Sequence, residues 1–175
     1  MAGLRPDIGE IKKFQYASMY RWGFSVVNMP RVVRSISSSD LTIRAYSSSI
    51  PKVTVDQSTI ENRGHIIWQP GITRFQGTHT IVFHEAEDGK MAKFLNEWHQ
   101  KHWQDGTGVQ EITNDLKGDF KLSLLNAKDQ VREEYILHGC WLQDWDGGEL
   151  SSTSSDTLKY TLTLQYDYYT FSSKV

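Results

Sequence analysis

Cysteine is all but missing. Cys140 is the only one, so no intramolecular disulfide can form, which fits a reducing compartment. No stretch approaches the roughly 20 consecutive apolar residues of a membrane span. The opening MAGLRPDIGEIKKF lacks the apolar core of a signal peptide. The expectation is a soluble, intracellular product with no membrane partner. There is no excess of positive charge either. A formal net charge of −2 excludes a protein that lives by gripping phosphates, which needs a basic surface.

Catalytic signatures are absent as well. The chain has no G-x-S-x-G, no phosphate-cradling glycine loop and no H-E-x-x-H. His99 and His102 have a helical spacing that could share a metal, with His79 or His84 as a third ligand. His102, however, falls on an apolar stripe, and histidines held by ordinary hydrogen bonds are far commoner. Glu133 and Glu134 are neighbours on a strand and point to opposite faces. They and Asp144-x-Asp146 read as solvated charge. Cys140 reads as a buried, inert thiol. The expectation is a protein that is no enzyme and carries no cofactor or metal.

What the chain does have is alternation. Thr157 to Phe171, TLKYTLTLQYDYYTF, places Leu158, Tyr160, Leu162, Leu164, Tyr166 and Tyr168 at every second position. Lys159, Thr161, Thr163, Gln165 and Asp167 fill the positions between, as in one long half-buried strand. Similar strands are expected at Trp22–Met29, ending at Pro30, and at Leu41–Tyr46, Thr78–Glu85, Gly118–Asn126 and Val131–His138. HGCWLQDWDGGEL follows the last of these, with Asp144-Trp145-Asp146 expected as a loop. Met91, Phe94, Leu95, Trp98 and His102 form a single stripe, so a helix capped by Asp88 should run to about Trp103 and cover a sheet. A short helix over Ile8–Tyr16, or an arm ordering against a partner, remains open for residues 1–18.

At 175 residues one domain is expected, with a mainly antiparallel α+β fold, a sheet or split barrel with one flanking helix. Residues 47–77 differ in character, rich in Ser, Gly and Pro yet holding Ile66, Ile67 and Trp68 in a row. With a turn at Asn62-Arg63-Gly64 they read as a long irregular hairpin. Its apolar residues either fold back on the core or dock on a neighbouring subunit. Whole polar strand faces, an apolar arm and no active site point towards self-assembly. A carbohydrate-binding β-domain using Trp141 or Trp145 as stacking platforms is the alternative from another class.

The order of these segments resembles the tail tube proteins of contractile-tailed bacteriophages, which share a fold with the tube proteins of type VI secretion systems. The resemblance is carried by Arg21-Trp22-Gly23-Phe24-Ser25-Val26, Ser49-Ile50-Pro51, Gly71 through Phe75 and Thr80-Ile81-Val82-Phe83. It continues through the helix with Phe94, Leu95 and Trp98, Ile136-x-x-Gly139-x-Trp141, and Leu162 through Tyr168. It implies hexameric rings stacked into a hollow tube, four strands per subunit closing a 24-stranded barrel. Ile66, Ile67 and Trp68 would contact the adjacent ring. Lys159, Thr161, Thr163, Gln165 and Asp167 are candidates for the lumen wall. The implied partners are tail sheath, baseplate and tape-measure proteins, with viral DNA passing through without specific binding. The implied location is the virion, assembled in the host cytoplasm. A baseplate tube initiator or tail terminator of the same fold is the close alternative.

Overall fold

The structure is a computed structural model and describes residues 17–75 and 77–174. The helix or arm considered for residues 1–18 therefore lies almost wholly outside the described residues. Nine strands are present among those described: β1 Trp22–Asn28, β2 Ala45–Ser48, β3 Val53–Asn62, β4 His65–Phe75, β5 Thr78–His84, β6 Gly118–Leu125, β7 Val131–Asp146, β8 Lys159–Gln165 and β9 Tyr168–Ser173. Three helices join them: α1 Ser38–Arg44, α2 Lys90–His102 and α3 Thr113–Leu116. The main sheet runs β1-β6-β7-β8-β5-β2, with β9 also on β7, and every pairing is antiparallel.

Strand β7 is the spine. It continues to Asp146 through the stretch expected as a loop. Its first half pairs with β6 and β9, its second half with β8. The long terminal strand is likewise two strands, interrupted at Tyr166-Asp167. The register does not slip there: from Trp141↔Gln165 to His138↔Tyr168 each strand advances three residues. What changes is the face. Cys140, Leu142, Leu162, Leu164 and Tyr166 are buried on one side of the break, Leu137 on the other, and the odd-numbered Tyr169 replaces the even-numbered tyrosines against the core. The pivot is Gly139, whose φ of +65° suits glycine, and where an added Cβ would collide with the Asp167 carboxylate.

The Leu41–Tyr46 strand is a correction. Ser38–Arg44 is helix, and β2 begins only at Ala45. Ser37 caps it by accepting from the Asp40 amide at 3.2 Å, and the acidic Asp40 and basic Arg44 stand at the ends the helix dipole favours. Leu41 is thereby 1% exposed and Ile43 81%, although both would share a face on a strand.

The covering helix α2 spans Lys90–His102, with Met91, Phe94, Leu95 and Trp98 buried. Its N-cap is Gly89 and not the expected Asp88, whose carboxylate accepts, of the helix amides, only Lys90 N at 3.2 Å. The next amides go to Glu85, whose Oε1 accepts from Met91 N at 3.3 Å and Oε2 from Ala92 N at 2.9 Å. Arg44 joins this end, bonding Glu85 at 3.3 Å and Asp88 at 2.6 Å, so α1 and α2 are tied through one largely buried guanidinium. The core is aromatic: Phe24 stacks on Phe120 at 5.6 Å and meets Phe83 edge-on at 5.5 Å, while Trp98 lies 5.4 Å from Phe94.

His79 is buried in this core, its Nε2 3.0 Å from the Ser48 hydroxyl and its Nδ1 3.4 Å from that of Ser49. Burial lowers its pKa from 6.5 to about 4. The folded state therefore resists protonation that the unfolded chain accepts. This contribution is fully present above pH 6.5 and is lost as the pH falls towards 4, a loss of about 3 kcal/mol. Urea titrations of the monomeric protein at pH 7.5 and 4.5 should show that loss. His79→Gln, which cannot titrate, should show a correspondingly smaller one.

Candidate assembly surface

Among the described residues, strands β3 and β4 pair only with each other, as a sheet separate from the main one. Arg63 and Gly64 make the two-residue turn. Both have positive φ, +50° and +83°, as in a type I′ turn, whose twist matches the flanking strands. Alternation along this ribbon buries neither face. Ile66, Ile67 and Trp68 are 52%, 52% and 61% exposed, and Val53, Val55, Ile60 and Ile72 are exposed with them. These residues do not fold back on the core.

The pairing also separates the three residues. Ile67 stands opposite Ile60 on one face, while Ile66 opposite Glu61 and Trp68 opposite Thr59 share the other. A hairpin with apolar residues on both faces and no partner for them among the described residues is a candidate contact element. Val53, Val55 and Ile60, noted in the sequence with the Ile66–Trp68 run, are exposed with it, and Ile72, which the sequence reading did not single out, belongs to the same set.

The polar positions of β8 lie together. Thr163 pairs with Thr80 and Asp144, Thr161 with Val82 and Asp146, and Gln165 with Thr78 and Trp141, forming a hydroxyl, amide and carboxylate strip. Lys159 lies beside it with its ammonium 4.2 Å above the Tyr46 ring. Asp167 stands apart, in the kink, with both carboxylate oxygens on Lys117 Nζ at 2.8 and 2.7 Å. On the outer face of β6 and β7, Glu134 accepts from Lys174 at 3.1 Å and Lys121 at 3.5 Å, and these cations hold its carboxyl below the usual range. The lysines near these faces thus have internal partners.

Other sequence candidates do not converge. Among the described residues no group of three His, Cys, Asp or Glu is placed to hold a metal ion. His102 stacks on Trp141, ring centroids 5.5 Å apart, while His79 is enclosed by serines. Cys140 is buried, and burial raises its thiol pKa. Trp141 and Trp145 both pack against the core, Trp145 edge-on to Tyr160 at 5.8 Å, so neither is a free platform for a sugar. No helix among the described residues is long and apolar enough to cross a membrane.

Two exposed apolar faces on a free hairpin and a bent antiparallel sheet describe a building block. Residues 88–170 match the family described as T4-like virus tail tube protein gp19. No curated protein matches the chain in sequence. Among solved structures, the chain is similar to a chain of the anti-feeding prophage tube-terminating cap, at 17% identity and TM-score 0.64, covering 99% of each. A chain of the sheath–tube complex of an extracellular contractile injection system, PVC, is similar at 16% identity and TM-score 0.61, covering 97% of this chain and 99% of that one. Hcp1 from E. coli EAEC 042 is similar at 8% identity and TM-score 0.51, covering 88% and 92%. The resemblance to tail tube proteins thus holds in sequence over the C-terminal half, and the tube-protein fold holds over nearly the whole chain. The β3–β4 hairpin lies outside the segment that matches the tail tube family.

Proposed function

We propose that this chain is a structural subunit of the inner tube of a contractile tail. It assembles as stacked hexameric rings whose sheets join, four strands from each subunit, into a 24-stranded barrel. The observation that carries this reading is the free hairpin, which exposes seven large apolar residues (Val53, Val55, Ile60, Ile66, Ile67, Trp68 and Ile72) that water alone would otherwise cover. Ring and stacking contacts are head-to-tail, which permits open-ended growth. The Thr80, Thr161, Thr163 and Gln165 strip supplies a lumen wall. Its hydroxyls and amides, with internally paired lysines nearby, let DNA slide without being held. Sheath, baseplate and tape-measure proteins are the partners, in a phage-like particle. The chain forms one domain with the hairpin as its projecting arm. Electron microscopy of the purified protein should show hollow stacked rings. A monomer that never assembles, even with baseplate components, overturns the reading.

A second reading has a specific support. The tube-terminating cap and a sheath/tube terminator, at TM-scores 0.64 and 0.65, share this fold, so the chain could form one ring and stop. Added to growing tubes, a terminator shortens them, whereas a tube subunit lengthens them.

A further inference from the structure

The two ends of the main sheet, β1 and β2, are not paired with each other. Between them lies an open groove of about 680 Å³. Its floor is Trp22, Leu122 and Leu124, the inward face of β1 and β6, and its wall is the Ser47–Lys52 segment. Among the described residues three cations, Arg21, Lys52 and Arg132, line it, and no carboxylate does. Arg21 is occupied by Asp129 and two backbone carbonyls. Arg132 bonds Glu133 through Nη2, but its buried Nε has no partner among the described residues. Lys52 forms no ion pair among the described residues. The groove is an apolar slot with spare positive charge at its edge.

One face of the hairpin is its complement. Ile66 and Trp68 supply apolar surface, and beside them on the same face stands Glu61, paired across the ribbon with Ile66 and free of any ion pair among the described residues. This face cannot reach the groove of its own chain. Val53, at the hairpin base, adjoins the groove wall at Lys52, while Glu61 lies eight residues out along β3, beyond the irregularity at Val55–Gln57, and Ile66 and Trp68 stay exposed in the chain itself. The complementary surface must come from another copy.

We infer that the Glu61, Ile66 and Trp68 face of one copy's hairpin seats in the β1–β6 groove of the next. Ile66 and Trp68 cover Trp22 and Leu124, and Glu61 meets the Lys52 and Arg132 rim. The contact is heterologous, since hairpin and groove are different surfaces of the same chain, and it repeats without limit. It also leaves the Ile60 and Ile67 face for a second neighbour. The inference rests on the tube-subunit reading and names the receiving surface.

Cysteine pairing tests it in the full chain, because the native Cys140 is buried. Ile50 at the groove wall and Ile66 are both exposed. Oxidation of an Ile50→Cys, Ile66→Cys variant should give a ladder of disulfide-linked oligomers. The control Ile43→Cys, Ile66→Cys, with its second cysteine on α1, should give none. In a parallel test, Glu61→Lys and Lys52→Glu should each weaken assembly about tenfold, and the combined exchange should restore it. If the wild type forms stacked rings but the ladder is absent and the exchange does not restore assembly, another segment fills the groove and the inference is overturned while the tube reading stands. A ladder of equal strength in the control also overturns it. If no rings form and no ladder appears, both fall.

Discussion

Trp68→Asp is expected to leave the subunit folded and to abolish its assembly. In the isolated chain Trp68 is 61% exposed, on a ribbon that pairs with nothing else, so the substitution removes no core contact. Exposed substitutions of this kind change stability by roughly ±0.5 kcal/mol. In the proposed assembly the same indole is a contact anchor. Truncation of such an anchor costs about 2–4 kcal/mol, and burying an unpaired carboxylate adds to that. The penalty recurs at every subunit, so growth fails well before the protein concentration compensates. Circular dichroism should superpose on the wild type, while sedimentation and electron microscopy show only small species. Unfolding of the variant, or tubes of normal length, would contradict the assignment of Trp68 to a subunit contact. Ile67→Asp, on the opposite face, separates a one-sided contact from a two-sided one: it blocks assembly only if both faces are covered.

The second large effect lies inside the subunit. Trp98→Ala should destabilise it by about 3–5 kcal/mol, because the ring is fully buried between Phe94 and Phe120 and leaves a cavity when removed. A hydrogen bond goes too: Trp98 Nε1 donates to the Leu116 carbonyl at 2.9 Å, and losing it orphans a buried acceptor at about 1 kcal/mol more. Set against a total stability of roughly 5–15 kcal/mol, this drops Tm by about 10–20 °C. Trp98→Phe should recover much of the packing and not the hydrogen bond. Trp103→Ala, half-exposed at the end of the same helix, should change Tm by no more than a degree or two. Thermal melts of the three variants decide it, and equal losses at Trp98 and Trp103 would show that α2 does not anchor the core through Trp98.

Much of this molecule was legible in its sequence. The stripe of Met91, Phe94, Leu95 and Trp98 made α2 unmistakable. Strict alternation placed β5 and β6 to within a residue or two, because a half-buried element writes its own period into the chain. The dominance of strands beside one covering helix pointed to a mainly antiparallel fold, and the ordered set of segments then led to the tail tube proteins.

Tertiary structure decided the rest. Leu41, Ile43 and Ala45 alternate like a strand, yet the Ser37 cap and the Arg44 bonds to Glu85 and Asp88, some forty residues away, hold the segment as helix. Period-two logic carried one strand through Tyr166-Asp167, where the chain instead turns from one half of the sheet to the other around Gly139, a residue silent in any hydropathy pattern. The groove joins Trp22, Ile50 and Leu124, and no local signal connects residues so far apart in sequence. Short-range periodicity is set by backbone geometry and is printed in neighbouring residues. Kinks, long-range ion pairs and docking surfaces arise only when distant segments meet, and those meetings are settled by packing the whole chain.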